Sequence, residues 1–580
     1  MLDLLIRGGT VIDGTGAKRR RADVGVRAGH ITEVGGIDEP ARRVIDAGGL
    51  VVAPGFVDIH THYDAQLFWD PGASPSSLHG VTTVVGGNCG FTLAPLVPED
   101  ATYLMRLMAR VEGMPLASLE TGVPWNWTTF GEYLDRLDGT IAVNAGFLVG
   151  HSAIRRRAMG DAAVGEPSTA AQREVMARLL HEALDAGALG FSSSQAPTHN
   201  DGEGNPVPSR AADHDELVAL AAVVGEHQGT QLELILAGTI TEFTDVEMDL
   251  MASMSAAANR PLNWNVLGID PRDHQRHHRQ LLASTRAAER GGRVIALTVP
   301  KPPQVHVRFD TGFVLDALPG WSDIFQLPVP ERMRALSEPS VRQRLREGAS
   351  SPPAGGLRRL FNWPRMQVAE TGPANASLVG RTFADIGSER GQDPFDAVLD
   401  VVVSDQLRTV LLCAIGDVDD ETWRVRAELW KDPRTVVGGS DAGAHLDVQC
   451  GATLSSDLLG DAVRERQLLS LEEAIHELTD VPARLYGLRG RGRVLDGWCA
   501  DVVVFDPERI DNGPMRTQTD LPGGASRLFA DARGVEHVIV NGREIVAQGE
   551  LTGAVPGTLL RSGRDTTTVE AAGTPVYASG

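Results

Sequence analysis

Two histidines one residue apart close an apolar stretch near the start of the chain. The run Gly55–His62 follows the apolar residues 50–53 and ends in His60-Thr61-His62. In an extended strand, residues i and i+2 share a face and lie about 6.6 Å apart. His60 and His62 can therefore aim their rings at one point, and imidazole is a common ligand of zinc. The pair predicts a metal site at a strand end; two ordinary polar residues at a strand–loop junction are the alternative.

Three more side chains follow apolar runs in the same way. Cys89 stands among glycines after residues 81–86, and Asp441 stands after residues 434–439. Cys89 is a candidate ligand or a small core residue, and Asp441 is a candidate ligand or general base, or a helix N-cap. His151 follows residues 141–149 and would orient a substrate carbonyl or cap a loop.

The elements that must position these residues alternate between strand and helix. Strand-like runs end near residues 60, 86, 149, 193, 237, 267, 299 and 439. Helix-patterned segments separate most of them and stop at glycine, as in 171–186, 214–227, 245–258 and 274–290. Eight βα units predict a (β/α)₈ barrel of the TIM type, whose active site lies at the carboxyl ends of the strands. His60 and His62 stand at such an end.

The sequence pattern at both chain ends differs from that of the middle. Short period-two runs broken by Gly pairs occupy residues 2–53, and similar runs with an Asn541-Gly542 turn occupy 500–547. We therefore predict an α/β protein in which both termini build one small β-sandwich domain. The expected limits are 1–53 and 488–550 for the β-sandwich, 54–487 for the barrel and 551–580 for a loosely ordered tail.

A Pro- and Gly-rich segment, 302–366, interrupts the rhythm between the seventh and eighth strands. Long insertions on the active face of a barrel usually serve as lids or pocket walls. We expect this insertion to form part of the pocket wall.

The motifs taken together resemble a known family. They are Pro54–His62, Gly80–Val85 with Gly87-Asn88-Cys89-Gly90, Val149-Gly150-His151, Gly190-Phe191-Ser192-Ser193, Gly439-Ser440-Asp441, and the closing segments Leu469–Ala474 and Ala500–Asp506. This set resembles the amidohydrolase superfamily, and within it the N-acyl-D-amino-acid deacylase branch. The resemblance implies a metal-dependent barrel beside a β-sandwich, with His60, His62 and Cys89 as metal ligands and Asp441 as ligand or general base.

The chain departs from those deacylases on its fifth and sixth strands, where they carry ligand histidines. Counting along the sequence places these positions on Leu234 and Val266, beside Glu233 and Asn265. A shift of one residue exchanges the two faces of a strand, so Glu233 and Asn265 are extra candidate ligands. The only lysines are Lys18, Lys301 and Lys431, which leaves none on strands 1–6 for a carbamate bridge. We expect one Zn²⁺ per chain, with another divalent metal as the alternative.

The implied chemistry is metal-assisted hydrolysis of an amide-type C–N bond. The metal would polarise the carbonyl and acidify a water, and Asp441 would transfer the proton to the leaving amine. Lys301, at the end of the seventh strand, is a candidate for binding a substrate carboxylate. Two alternatives stay open: hydrolysis of a cyclic amide, imide or carbamate on the same scaffold, and a non-catalytic relative with a degraded metal site.

Composition limits the kinds of molecule that this protein is expected to bind. A formal charge of −22 over 580 residues argues against nucleic acid and anionic membranes, so the expected partner is a small N-acyl or amide substrate, with a homo-oligomer left open. Cys89, Cys413, Cys450 and Cys499 lie far apart, which favours a reducing compartment. With no signal-like or 18-residue apolar segment, a cytoplasmic location is expected.

Overall fold

Eight parallel strands form the centre of the molecule. The computed structural model describes residues 1–270, 272–312, 314–355, 357–413 and 419–572. We call these strands the parallel series and number them 1–8 in chain order. They are Phe56–Asp58, Val81–Gly86, Asn144–Phe147 continued by Val149–Gly150, Gly190–Ser194, Gln231–Ile235, Leu262–Leu267, Val294–Thr298 and Thr435–Val437. Each predicted strand is present, and neighbours in the series pair with one another in chain order.

The last strand of the series returns to the first. Thr61 forms a parallel bridge with Ala442, and the His62 N–H donates to the carbonyl of Ala442 at 2.8 Å. The Asp441 N–H donates to the carbonyl of His60 at 3.2 Å. These contacts bring the carboxyl ends of strands 1 and 8 together.

Helices connect the strands and pack against them. Helices before and between strands 3–8 of the series are Ala101–Val111, Leu116–Gly122, Phe130–Leu137, His151–Met159, Ala170–Asp185, His214–Gly225, Asp245–Ala258, Arg276–Gln280, Leu282–Glu289 and Asp420–Trp430. Leu454–Asp457, Leu471–Leu478 and Asp480–Leu485 follow strand 8. The Thr169 and Thr244 side chains cap two of these helices through reciprocal hydrogen bonds with Gln172 and Glu247. The single helix expected at 274–290 is broken at Leu281.

Strands from both chain ends form one nine-stranded sheet. Val51–Pro54 from the N-terminal part pairs antiparallel with Val502–Phe505 from the C-terminal part. The other members are Leu2–Val11, Arg20–Arg27, His30–Gly35, Ala41–Asp46, Val535–Val540, Arg543–Ala547 and Glu550–Leu551. Val51–Pro54 runs directly into strand 1, so this sheet anchors the strand that carries His60 and His62.

The insertion is larger than the expected 302–366 and has a core of its own. His306–Arg308, Gln367–Glu370 and Val410–Leu412 form a three-stranded sheet. Helices Ser322–Phe325, Val329–Ser337, Pro339–Ser350, Leu357–Leu360, Phe383–Arg390 and Pro394–Ser404 lie around it. Its buried cluster extends from Val307 to Cys413, so the excursion continues well beyond residue 366.

The C-terminal segment differs from the expected loose tail as far as it is described, to residue 572; residues 573–580 lie outside the described part. Leu559 and Leu560 are fully buried, and Ala145 on strand 3 bridges Leu559. The Thr558 N–H donates to Asn144 Oδ1 at 3.0 Å. Gly- and Thr-rich composition suggested disorder, but two leucines and backbone pairing hold this segment against the parallel series.

Candidate active site

His60 and His62 meet Asp441 just beyond the end of strand 1. His60 Nε2 lies 3.3 Å and His62 Nε2 lies 3.6 Å from Asp441 Oδ1. Both imidazoles are buried, whereas 28% of the Asp441 side chain is exposed. The alternation of side chains along this extended segment therefore directs both rings to one point. The residues after strand 8 place the Asp441 carboxylate opposite them.

Cys89 completes a compact group of donor atoms. Its Sγ lies 3.5 Å from His60 Nε2, and the candidate ligand atoms of His60, His62 and Cys89 all lie within 4.8 Å of one another. The backbone of Cys89 has φ of 55°, and Asp441 has φ of 56°. Non-glycine residues rarely adopt this left-handed conformation, which clusters at functional sites when the surroundings enforce it.

Hydrogen bonds from two neighbouring strands hold the Cys89 loop in this conformation. The Ser192 hydroxyl, on strand 4, donates to the carbonyl of Gly87 at 2.5 Å and accepts from the Gly90 N–H at 3.0 Å. Glu233 Oε2, on strand 5, accepts from the Cys89 N–H at 2.8 Å. Two neighbouring strands thus hold the loop that presents the thiol.

Strands 5 and 6 present Glu233 and Asn265 to the site. Asn265 Nδ2 lies 2.9 Å from His60 Nε2 and 3.4 Å from Asp441 Oδ1. Leu234 belongs to the main hydrophobic core, so the sequence count that assigned the strand-5 position to it was off by one residue. Ser192 on strand 4 pairs with Glu233, and this register turns Glu233 to the side of the thiol.

Acidic groups surround the histidines. Burial raises the pKa of Glu112 to about 7 and that of Glu233 to about 8. Burial alone would lower the pKa of His62, but Glu112 and Asp441 outweigh it and raise the pKa to about 9. Burial opposes ionisation of Asp441 as well, yet its contacts with His60 and His62 hold its pKa well below the usual value. The site therefore gathers acidic groups whose raised pKa values a bound cation would lower.

The side chains fit a divalent metal by their chemistry. Two imidazoles and one thiolate form a donor set typical of zinc. Burial raises the pKa of the Cys89 thiol well above its usual value, and a bound metal is the kind of neighbour that deprotonates a thiol. Within the part of the chain that the structure describes, His60 Nδ1 and Glu233 Oε1 are buried without a hydrogen-bond partner.

Comparison with known proteins identifies the family of this chain. A model of the amidohydrolase family matches residues 43–318 and 385–546. The chain belongs to the amidohydrolase family. The unmatched residues between the two segments fall within the insertion. The chain is 31% identical to an N-acyl-D-aspartate deacylase of Alcaligenes xylosoxydans xylosoxydans, over 97% of this chain and 95% of that protein.

Two solved structures resemble this amidohydrolase over 97% of its chain and 100% of theirs. One is of a D-aminoacylase with a binuclear metal centre, in which one metal activates and a second attenuates (26% identity, TM-score 0.65). The other is of N-acyl-D-glutamate deacylase from Bordetella bronchiseptica with zinc and a phosphonate inhibitor (27% identity, TM-score 0.61). The protein is thus an amidohydrolase of the D-aminoacylase type that acts on C–N bonds other than peptide bonds, and the expected family is confirmed.

Two candidate substrate-binding residues are held by other partners. His151 is fully buried; its Nδ1 lies 2.9 Å from Ser193 Oγ and its Nε2 lies 2.8 Å from Glu216 Oε1. Both ring nitrogens are thus occupied inside the fold, which disagrees with a role in binding substrate. Lys301 lines a cavity beside Asp441, but its Nζ is paired with Asp457 and Asp461.

Sequence reasoning missed the acidic residues behind the histidines. Glu112 Oε2 lies 3.4 Å from His62 Nδ1, and Asp64 Oδ2 accepts from the Gly87 N–H at 3.1 Å. Asp64 continues the period-two spacing of His60 and His62, so that pattern contained a signal for it. Glu112 directly follows the amphipathic helix Ala101–Val111, and only the tertiary fold brings it to the site.

None of the helices within the described ranges is long and apolar enough to cross a membrane.

Proposed function

We propose that this amidohydrolase removes the acyl group from N-acyl-D-amino acids, with one Zn²⁺ held by His60, His62 and Cys89. The convergence of these three residues and Asp441 at one buried point is the observation that carries the proposal. The D-amino-acid class comes from the relatives, whose names specify N-acyl-D-aspartate and N-acyl-D-glutamate. Asn265 and Glu233 contact His60 and Cys89 and would lie beside a bound metal.

The scaffold proposed for this chemistry is a closed (β/α)₈ barrel with a β-sandwich built by both termini. The pairing of strands 1–8 in chain order and the Thr61–Ala442 bridge support closure. The domain limits proposed are 1–53 and 488–550 for the β-sandwich and 54–487 for the barrel. Active sites of such barrels lie at the carboxyl ends of the strands, where His60, Cys89 and Asp441 stand.

In the proposed reaction, a bound divalent metal would polarise the amide carbonyl and lower the pKa of the attacking water. Asp441 accepts a proton from that water at Oδ1 and returns it to the nitrogen of the leaving amine, which is general base and then general acid catalysis. Asn265 Nδ2 donates to this carboxylate at 3.4 Å and orients it, while the imidazoles of His60 and His62 would hold the metal. The partial exposure of Asp441 leaves it accessible to substrate.

The proposal is tested by assaying zinc-loaded protein with matched N-acetyl-D- and N-acetyl-L-amino acids and measuring the released amine. We expect turnover of D-substrates, little turnover of L-substrates, and loss of activity after chelation that zinc restores. Hydrolysis of cyclic amides or imides alone would contradict the proposal and favour the second enzymatic alternative. Absence of turnover on every substrate would favour the non-catalytic alternative.

A further inference from the structure

A cavity of about 170 Å³ adjoins Asp441 on the side of strands 7 and 8. The end of strand 7 and the start of the insertion form one wall of it, and residues 512–515 with Ala530 form another. Many of its lining residues are apolar: Val266, Pro302, Pro303, Pro514, Met515 and Ala530. This is a space in which a substrate group bonded near the scissile amide can lie.

The one cationic side chain among the described residues that line this cavity is already neutralised. Lys301 Nζ lies 2.8 Å from Asp457 Oδ1 and 2.6 Å from Asp461 Oδ2. Asp457 is fixed in turn, because it accepts hydrogen bonds from Thr453 Oγ1 and Asn512 Nδ2, each at 2.8 Å. The three charged groups together carry a net charge of about −1, and Asp441 adds a further carboxylate at the other end.

An anionic substrate group in this cavity would meet unfavourable electrostatics. Lys301 has two carboxylate partners, so a third would share its charge while approaching Asp457 and Asp461 closely. Placing like charges together at an interface is costly and serves to exclude wrong partners. An uncharged group has no such penalty and gains from burial against proline, valine and methionine.

We propose that this cavity receives the side chain of the N-acyl-D-amino acid and that Lys301, Asp457 and Asp461 make it selective for uncharged, apolar side chains over acidic ones. The inference rests on the proposed function. It assigns this chain a specificity opposite to the N-acyl-D-aspartate and N-acyl-D-glutamate deacylases that it resembles. Asp457 and Asp461 together remove Lys301 from use as a carboxylate anchor.

The first test compares kcat/KM of the zinc-loaded protein for N-acetyl-D-leucine, N-acetyl-D-asparagine and N-acetyl-D-aspartate. Asparagine and aspartate have nearly the same shape, so their ratio isolates the effect of charge. We expect aspartate to be at least about tenfold poorer than asparagine, and leucine to be the best of the three. Aspartate equal to or better than asparagine would overturn the inference and leave deacylation itself standing. No turnover of any of them would refute the proposed function and the inference together.

The second test uses Asp461→Asn, which releases Lys301 from one of its two carboxylates. We expect the ratio of kcat/KM for N-acetyl-D-aspartate to that for N-acetyl-D-leucine to rise at least about tenfold. Asp323→Asn is the matched control, since Asp323 is exposed, pairs with Arg344 and is not among the residues that line the cavity; it should leave the ratio unchanged. An unchanged ratio in Asp461→Asn would overturn the assignment of Lys301, Asp457 and Asp461 as the selective group.

Discussion

At the residue scale, Asp441 is the group whose loss should separate chemistry from folding. It contacts His60 and His62 and is partly exposed, and asparagine preserves its size. We expect Asp441→Asn to remain folded and to lower kcat at least about 100-fold, the low end for removing a general base. Steady-state kinetics and circular dichroism measure the two effects. Asp215→Asn, at an exposed helix position, is the control, and near-normal turnover by Asp441→Asn would remove Asp441 from the mechanism.

His79 gives a prediction about pH at the same scale. It is fully buried, its Nε2 lies 3.0 Å from the carbonyl of Ala530, and its Nδ1 contacts Ser456 Oγ. Burial lowers its pKa to about 4, so below pH 6.5 the unfolded chain binds a proton that the folded chain does not. The free energy of unfolding should therefore fall by about 2 kcal/mol between pH 7 and pH 5 on account of His79.

The measurement is urea unfolding of wild type and His79→Gln at both pH values. The variant should lose less stability on acidification than wild type does, whereas the exposed His214→Gln should follow wild type. Identical pH dependence in wild type and His79→Gln would show that His79 titrates normally in the fold.

The residues that sequence analysis could identify are those governed by local geometry. His60 and His62 follow from strand periodicity, and Cys89 and Asp441 follow from their places after apolar strands. Glu112 comes to His62 from a helix about 50 residues away, and no local pattern encodes that distance. Glu233 and Asn265 were one residue from the counted positions, because a strand's facing depends on pairing and not on the count from its flanking loop.

At the element scale, the Cys89 loop depends on strand 4. Ser192 bonds both Gly87 and Gly90, on either side of Cys89. Residues that orient metal ligands typically contribute 10- to 100-fold in metal affinity, so we expect Ser192→Ala to weaken zinc binding at least about tenfold. Competition with a fluorescent chelator measures the affinity. Ser350→Ala, on an exposed helix of the insertion, is the control, and unchanged affinity in Ser192→Ala would deny strand 4 this role.

The insertion shows the limit of periodicity for whole elements. Its proline and glycine signals marked its beginning, and Pro302 and Pro303 do line the cavity beside Asp441, as a pocket wall should. Its far boundary was missed because helices Phe383–Arg390 and Pro394–Ser404 carry ordinary amphipathic patterns. Only their packing around a separate core distinguishes them from the helices of the parallel series.

At the scale of the whole molecule, the C-terminal segment packs against the parallel series. Leu559 is fully buried there, whereas Leu551 in the same part of the chain is 44% exposed. Truncating a buried leucine to alanine typically costs about 2–5 kcal/mol. We expect Leu559→Ala to lower the free energy of unfolding by that amount and Leu551→Ala to change it little. Equal urea midpoints for the two variants would show that this segment is a loosely ordered tail.

The central claim is a single metal held by His60, His62 and Cys89, and elemental analysis of the dialysed protein tests it most directly. A catalytic zinc needs about three protein donors and an open position, and the site offers those three with Asp441, Glu233 and Asn265 around them. We predict about one tightly bound zinc per chain, and its loss in His60→Ala with the fold retained by circular dichroism. Two retained equivalents per chain, or a full equivalent in His60→Ala, would contradict the account.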